Sequence, residues 1–184
     1  LSDHGDTLFD HGLVGKRTFY EGSANVPLIL SGEPVAKYRG TVDSRAACLE
    51  DVMPTLLELC GIPVPDTAEG VSLLSGEKRG MLYGEIGEDI RATRMVTDGK
   101  RKLIYYPCGN VFQLFDLESD PKEQRDLYGT SGQQDTVKAM KEYLISHLHG
   151  GDAAWIKDGA LAGIPEPEYR TAPDYTLFNQ RGIH

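Results

Sequence analysis

Four short apolar-rich stretches, residues 81–86, 92–98, 102–106 and 111–117, follow one another with only tight connections between the later ones. Asp98-Gly99-Lys100-Arg101 and Cys108-Gly109-Asn110 mark turns, and an Asp-Gly pair between two such runs is a strong hairpin signal. Connections this short exclude parallel pairing, which needs a crossover of a dozen residues or more. The stretch therefore reads as an antiparallel sheet. Asp120-Pro121 makes a further turn, and residues 134–149 then change to helical periodicity, with Val137, Met140, Leu144 and Leu148 on one face. A small antiparallel sheet followed by an amphipathic helix predicts an α+β unit with the helix across one face of the sheet.

The flanking regions carry other patterns. Asn25-Val26-Pro27-Leu28-Ile29-Leu30 is a continuous apolar run that stops at Ser31-Gly32-Glu33-Pro34. It predicts a central strand covered on both faces, as in an α/β layer. Residues 49–60 predict a helix: Val52, Leu56 and Leu59 form one stripe, and Met53, Leu57 and Cys60 widen it. Gly61 suits the position just past its end and Pro63 blocks continuation, while Pro54 is tolerable only in the first turn. Residues 151–184 contain Pro165, Pro167 and Pro173 and little periodicity, and are expected to form an extended tail that wraps over a neighbour or is partly disordered. The organisation expected is thus an α/β segment over 1–76, the antiparallel-sheet and helix unit over 77–150, and the tail.

Composition narrows the function classes. With 19 Lys+Arg against 28 Asp+Glu, the net charge of −9 argues against a general nucleic-acid binder, which needs a basic surface. A 40% hydrophobic and 26% charged chain of 184 residues is that of an ordinary globular protein of about one domain. No apolar run approaches the roughly 20 residues of a membrane span. Cys48, Cys60 and Cys108 are odd in number and widely spaced, so they indicate neither a disulfide framework nor a zinc site, and are expected as small buried hydrophobes.

The chemistry gathers at the start of the chain. Asp3, His4, Asp6, Asp10 and His11 crowd into a short stretch punctuated by Gly5, Gly12, Gly15 and Gly22. An adjacent carboxylate and imidazole can offer an oxygen and a nitrogen to Ca²⁺, Mg²⁺, Mn²⁺ or Zn²⁺. Lys16, a dozen positions after His4, could brace an anionic substrate oxygen beside such a cation. Asp-Gly and His-Gly pairs are also common turn material, so the residues alone leave a metal site and a solvated polar loop both open.

Ser2-Asp3-His4-Gly5, Asp10-His11-Gly12, Gly15-Lys16-Arg17-Thr18-Phe19-Tyr20-Glu21-Gly22 and Val26-Pro27-Leu28-Ile29 together resemble the metal-and-sulfate stretch of sulfatases. Three more pieces follow in the same order. The segment from Asp51-Val52-Met53-Pro54-Thr55-Leu56-Leu57 to Gly61-Ile62 is similar to the family's D-I-x-P-T-L-L-x-L-A-G-I helix. Glu69-Gly70-Val71-Ser72-Leu73 resembles its D-G-x-S-L segment, and Phe115-Asp116-Leu117 through Asp120-Pro121 to Leu127 its L-Y-D-L-x-x-D-P-x-E-x-x-N-L segment. The resemblance covers about residues 1–149.

It implies the C-terminal part of an alkaline-phosphatase-like α/β fold, followed by a smaller α+β subdomain of four antiparallel strands and a helix. It further implies a divalent metal, commonly Ca²⁺ with Mg²⁺ or Mn²⁺ as alternatives, held in part by Asp3 and His4. Lys16 would be the catalytic, sulfate-contacting lysine, and His11 a substrate or supporting group. The family's nucleophile, a formylglycine made within a C/S-x-P-S/T-R motif, has no counterpart here, nor has its early Asp-Asp metal pair. Both are expected upstream of Leu1, so this chain alone is expected to be inactive and to self-associate, as a homo-oligomer, through uncovered apolar faces. The substrate implied is a small-molecule sulfate ester. A phosphonate or phosphate ester hydrolase on the same fold and a non-catalytic binding module are the alternatives.

Overall fold

A computed structural model describes residues 1–167. In chain order it contains a single-turn helix α1 (Glu21–Ala24), α2 (Val52–Leu59), strands β1 (Leu82–Ile86), β2 (Thr93–Thr97), β3 (Arg101–Tyr106) and β4 (Val111–Asp116), helix α3 (Gln134–His147), and a minimal hairpin of β5 (Ile156–Lys157) and β6 (Ala160–Leu161). The four long strands form one antiparallel sheet in the order β1-β2-β3-β4, as the short connections require.

The register follows from the turns. At the β2–β3 turn Thr97 pairs with Lys102, and Gly99 takes a φ of +86°, which glycine adopts without strain. The Asp98 carboxylate accepts the backbone N–H of Lys100 at 2.8 Å and of Arg101 at 2.6 Å, closing the loop on itself.

Both faces of the sheet are covered, so β2 is buried along its whole length rather than alternating. On one face Val96, Leu103, Tyr105, Phe112 and Leu114 pack against Met140 and Leu144 of α3. On the other Met95, Ile104, Tyr106 and Phe115 receive Leu13, Phe19 and Tyr20 from the start of the chain. Successive residues of β3 thus belong to different cores, as a two-residue side-chain period demands. Burying each large side chain contributes about 1.5–3 kcal/mol, so this sheet anchors the N-terminal segment as well as α3.

Residues 150–164, the described start of the expected tail, pack on the sheet unit. A 3-10 turn (Gly150–Trp155) delivers Trp155 into the α3 core, where the Arg94 guanidinium stands 5.0 Å from its ring centre. Arg94 is itself buried and paired with Asp152 at 2.6 Å. Ile164 closes the segment by a parallel bridge to Cys108. One aromatic anchor and one buried ion pair hold this stretch without helical or strand periodicity. Residues 168–184, including Pro173, lie outside the described residues.

The expected strand over 25–30 does not form, and Ile29 is 77% exposed. A strand needs a neighbour to satisfy its N–H and C=O groups. Among the described residues the only sheets are the four-stranded one and the β5–β6 hairpin, and neither pairs with it.

The helix over 49–60 appears as a 3-10 turn (Leu49–Asp51) running into α2, with Gly61 at φ +68° just beyond. Its apolar stripe is not its buried face: Leu49, Met53 and Leu56 are exposed, and Asp51, Pro54 and Thr55 are buried. The reason is a strap. The Asp51 carboxylate accepts the N–H of Val71 and of Cys48 and pairs with Arg79 at 2.6 Å, while Thr55 Oγ1 accepts the Leu73 N–H. Gly70 crosses so close to the Glu50 carbonyl that a Cβ would sit 1.9 Å from its oxygen. Of the cysteines only Cys108 is the buried hydrophobe expected; Cys48 is half-buried and Cys60 exposed.

Candidate functional site

The first two dozen residues contain little regular structure and are held by individual hydrogen bonds. Thr7 is buried, with its Oγ1 2.9 Å from the Leu13 carbonyl and 3.0 Å from that of Gly15, which draws the loop shut. The Gly5 N–H donates to the Ser23 carbonyl at 2.8 Å, and the Ser23 hydroxyl donates to the Lys16 carbonyl at 2.7 Å. A Cβ on Gly5 would lie 2.2 Å from the Gly22 oxygen, so this crossing requires glycine. Ser23 therefore ties the backbone beside His4 to the backbone of Lys16.

That crossing brings three polar side chains together. His4 Nδ1 lies 2.8 Å from the Gly5 carbonyl, which can only accept, so Nδ1 carries the hydrogen. Lys16 Nζ approaches Nε2 at 2.5 Å, and Asp3 Oδ2 lies 3.4 Å from the same nitrogen. The Asp3 carboxyl is held below its ordinary range, first by a hydrogen bond from its own backbone N–H and then by the neighbouring His4, with Lys16 adding to it more weakly. Two electron-pair donors stand side by side, and here the Lys16 amine supplies the positive charge at one of them. The donor set fits part of a divalent-cation site, one carboxylate and one imidazole. No cluster of three or more His, Cys, Asp and Glu side chains that could hold a metal occurs among the described residues. A hard cation takes six or more ligands, so the remainder would have to come from outside this set.

His11 is placed differently. It stacks on Tyr20 with ring centroids 3.9 Å apart and planes 7° from parallel. Tyr20 is buried, its phenol pushed up by burial, and it shares Gln113 Oε1 with the Tyr106 hydroxyl at 3.0 and 2.9 Å. Asp3, His4, Lys16, Arg17 and Glu21 line one open cleft, and His11 is not among its walls.

A group the sequence reading passed over lies under the site. Lys102 of β3 is buried, and its amine donates to the Phe19 carbonyl at 2.8 Å, to the Glu123 carboxylate at 2.9 Å and to the Glu21 carboxylate. The other Glu123 oxygen accepts the Glu21 N–H at 2.6 Å. Burial pushes the Glu123 carboxyl up, against the opposing pull of Lys102. The sequence offered little signal, since Lys102 follows Lys100 and Arg101 at the start of the run Leu103-Ile104-Tyr105-Tyr106. Glu123 gave none, since it sits in a polar turn with a φ of +53°.

Residues 9–149 match the family described as N-sulphoglucosamine sulphohydrolase, C-terminal. An arylsulfatase of Clostridium perfringens is 34% identical over 177 residues, covering 90% of this chain and 36% of that protein. A choline-sulfatase of Rhizobium meliloti is 37% identical over 167 residues, covering 83% of this chain and 32% of that protein. Among solved structures, a 2-O GAG sulfatase superposes with a TM-score of 0.71 at 27% identity, covering 78% of this chain and 34% of that one. The chain belongs to the sulfatase family of sulfuric ester hydrolases, as a C-terminal portion with the alkaline-phosphatase-like architecture. It spans about a third of the length of the relatives named here. No helix among the described residues is long and apolar enough to cross a membrane.

Proposed function

We propose that the full-length protein hydrolyses small-molecule sulfate esters with a divalent metal, and that this segment supplies Asp3 and His4 as metal ligands and Lys16 as the sulfate contact. The observation that carries the reading is the meeting of Lys16 Nζ with His4 Nε2 at 2.5 Å, beside the Asp3 carboxylate. Residues a dozen positions apart converge where a cation and an anion could be handled together, in a chain whose relatives are named for sulfatase activity.

Ca²⁺, Mg²⁺ or Mn²⁺, when bound, would polarise a sulfate oxygen and orient the attacking oxygen. This chain's own groups prepare for that. The Gly5 carbonyl holds the His4 Nδ1 hydrogen, so that Nε2 would be the ligating atom once the Lys16 amine turns from it to the sulfate. The Lys16 ammonium offsets charge that shifts toward the ester oxygen as the sulfur–oxygen bond breaks. His11 serves this site through the Tyr20 ring it stacks on, keeping the loop between the two halves of the cluster in shape. The nucleophile, a formylglycine by family resemblance, and the remaining ligands would come from upstream sequence, so the 184 residues alone would not turn over substrate.

The experiment is Lys16→Ala in the full-length protein, assayed on an aryl sulfate beside an aryl phosphate. Loss of a preorganised cation at the reacting group predicts a fall in turnover of about 100- to 1,000-fold. A change under about threefold would count against the sulfate-contact role.

A further inference from the structure

The Lys102 cluster connects to the candidate site through a short series of hydrogen bonds. Lys102 Nζ holds the Phe19 carbonyl and the Glu21 carboxylate, and Glu123 holds both Lys102 and the Glu21 N–H. Residues 19–21 are thereby gripped at three points from beneath. The next turn hangs on that grip, because the Ser23 N–H donates to the Tyr20 carbonyl at 2.9 Å. Ser23 then reaches both sides of the site, its hydroxyl on the Lys16 carbonyl and its own carbonyl on the Gly5 N–H. No other buried lysine occurs among the described residues, and its two charge partners lie far from it in sequence, one on each side.

We propose that Lys102 is a positioning residue: its amine, locked to Phe19, Glu21 and Glu123, sets through Ser23 where Lys16 and His4 stand. The inference rests on the reading of Lys16 and His4 as the sulfate and metal groups. A buried ion pair is weak evidence for stability, since removing two charges from water costs much of what their attraction returns. What it does supply is a fixed geometry. A lysine whose ammonium is saturated by three acceptors cannot slide, and the backbone it grips cannot shift relative to β3. Small displacements matter at such a site, because misplacement of about 1 Å can cost on the order of 100-fold in rate.

The test is a double-mutant cycle in the full-length protein with amide hydrogen exchange read alongside. Ser23→Ala removes a buried hydroxyl that donates to the Lys16 carbonyl and should lower kcat about 10-fold with KM changed less than about threefold. Lys102→Met should lower kcat by about 10- to 100-fold in the same pattern. Both losses should shrink once Lys16 is already alanine, leaving only the part carried through His4. Exchange at the Gly5 and Ser23 amides should quicken in Lys102→Met. Lys102→Met strips the counter-charge from Glu123 and Glu21 and risks unfolding; Glu123→Gln, which weakens the same clamp without leaving a charge unpaired there, then takes its place in the cycle beside Ser23→Ala.

Losses that add fully in the Lys16→Ala background overturn the proposal and leave Lys102 as part of the core only. Unchanged kcat in Ser23→Ala overturns it as well. If Lys16→Ala leaves turnover intact, it is the sulfate-site reading that fails. Exchange then judges the clamp alone, and unaltered protection at Gly5 and Ser23 in Lys102→Met defeats it.

Discussion

Val96, Leu103, Ile104, Leu114 and Leu144 are wholly shielded from solvent, whereas Leu8, Phe9, Ile29 and Val42 lie open to it. All the large exposed hydrophobic side chains described, except Ile90, fall within the first 64 residues. The sheet unit closes its own core: each strand finds its hydrogen-bond partner within 35 residues, and α3 arrives directly afterwards to cover one face. The N-terminal segment does not. It carries the candidate chemistry but leans on the sheet through Leu13, Phe19, Tyr20 and the Lys102 cluster, and leaves the rest of its apolar surface uncovered. Rigidity and reactivity are thus allotted to different regions, and the buried polar contacts between them are where one could govern the other.

This contrast can be tested from either side. The largest effect is expected from His4→Ala in the full-length protein. If His4 ligates the metal as proposed, metal affinity should fall beyond the roughly 10- to 100-fold typical of losing a ligand's hydrogen-bond partner, with turnover falling accordingly. The thermal midpoint should scarcely move, because His4 is not part of either core. A large fall in the midpoint with turnover retained would reverse the division of labour.

Leu144→Ala is the complementary change. It opens a cavity between α3 and the sheet and should cost about 2–5 kcal/mol, read by denaturant titration. The kcat of the protein that remains folded should stay near wild type. A selective loss of activity without a loss of stability would mean that the sheet and the site are not separable.

A smaller effect lies at the junction, in Glu123. Its folded pKa is raised above 4.5, so its contribution favours folding below that pH and is lost as the pH rises through the elevated value. The stability difference between wild type and Glu123→Gln should therefore change over that acid window and level off above it. A difference curve flat across the window would show that Lys102 cancels the burial of Glu123 completely.

Much of the sheet unit was legible because its physics is local and periodic. The runs at 81–86, 92–98, 102–106 and 111–117 became β1 to β4 within a residue or two at most ends, and the helix over 134–149 became α3. Asp98-Gly99 marked its turn because few other residues tolerate that backbone. The N-terminal run at 25–30 misled because an apolar hexapeptide says that burial is wanted, not what will cover it. The stripe on α2 misled for a related reason. Asp51 and Thr55, polar in the sequence, became the buried side when Val71 and Leu73 were strapped across them. Trp155 and Arg94 were silent because a single anchor has no period.

At the candidate site, Asp3, His4 and Lys16 could be named from residue type and spacing, which the geometry unites at one imidazole nitrogen. Ser23, Lys102 and Glu123 could not, since their partners lie seven, 83 and 21 residues away and no local rule links them. What the amino-acid order decided unaided was the antiparallel sheet with its covering helix, and which side chains are candidates for a cation and an oxyanion. Hydrogen-bond reach and side-chain period act over a few residues and are written in it directly. Which faces are buried, which strand lacks a partner and how the reactive groups are held were decided only in three dimensions, because those energies depend on contacts between segments that are far apart along the chain.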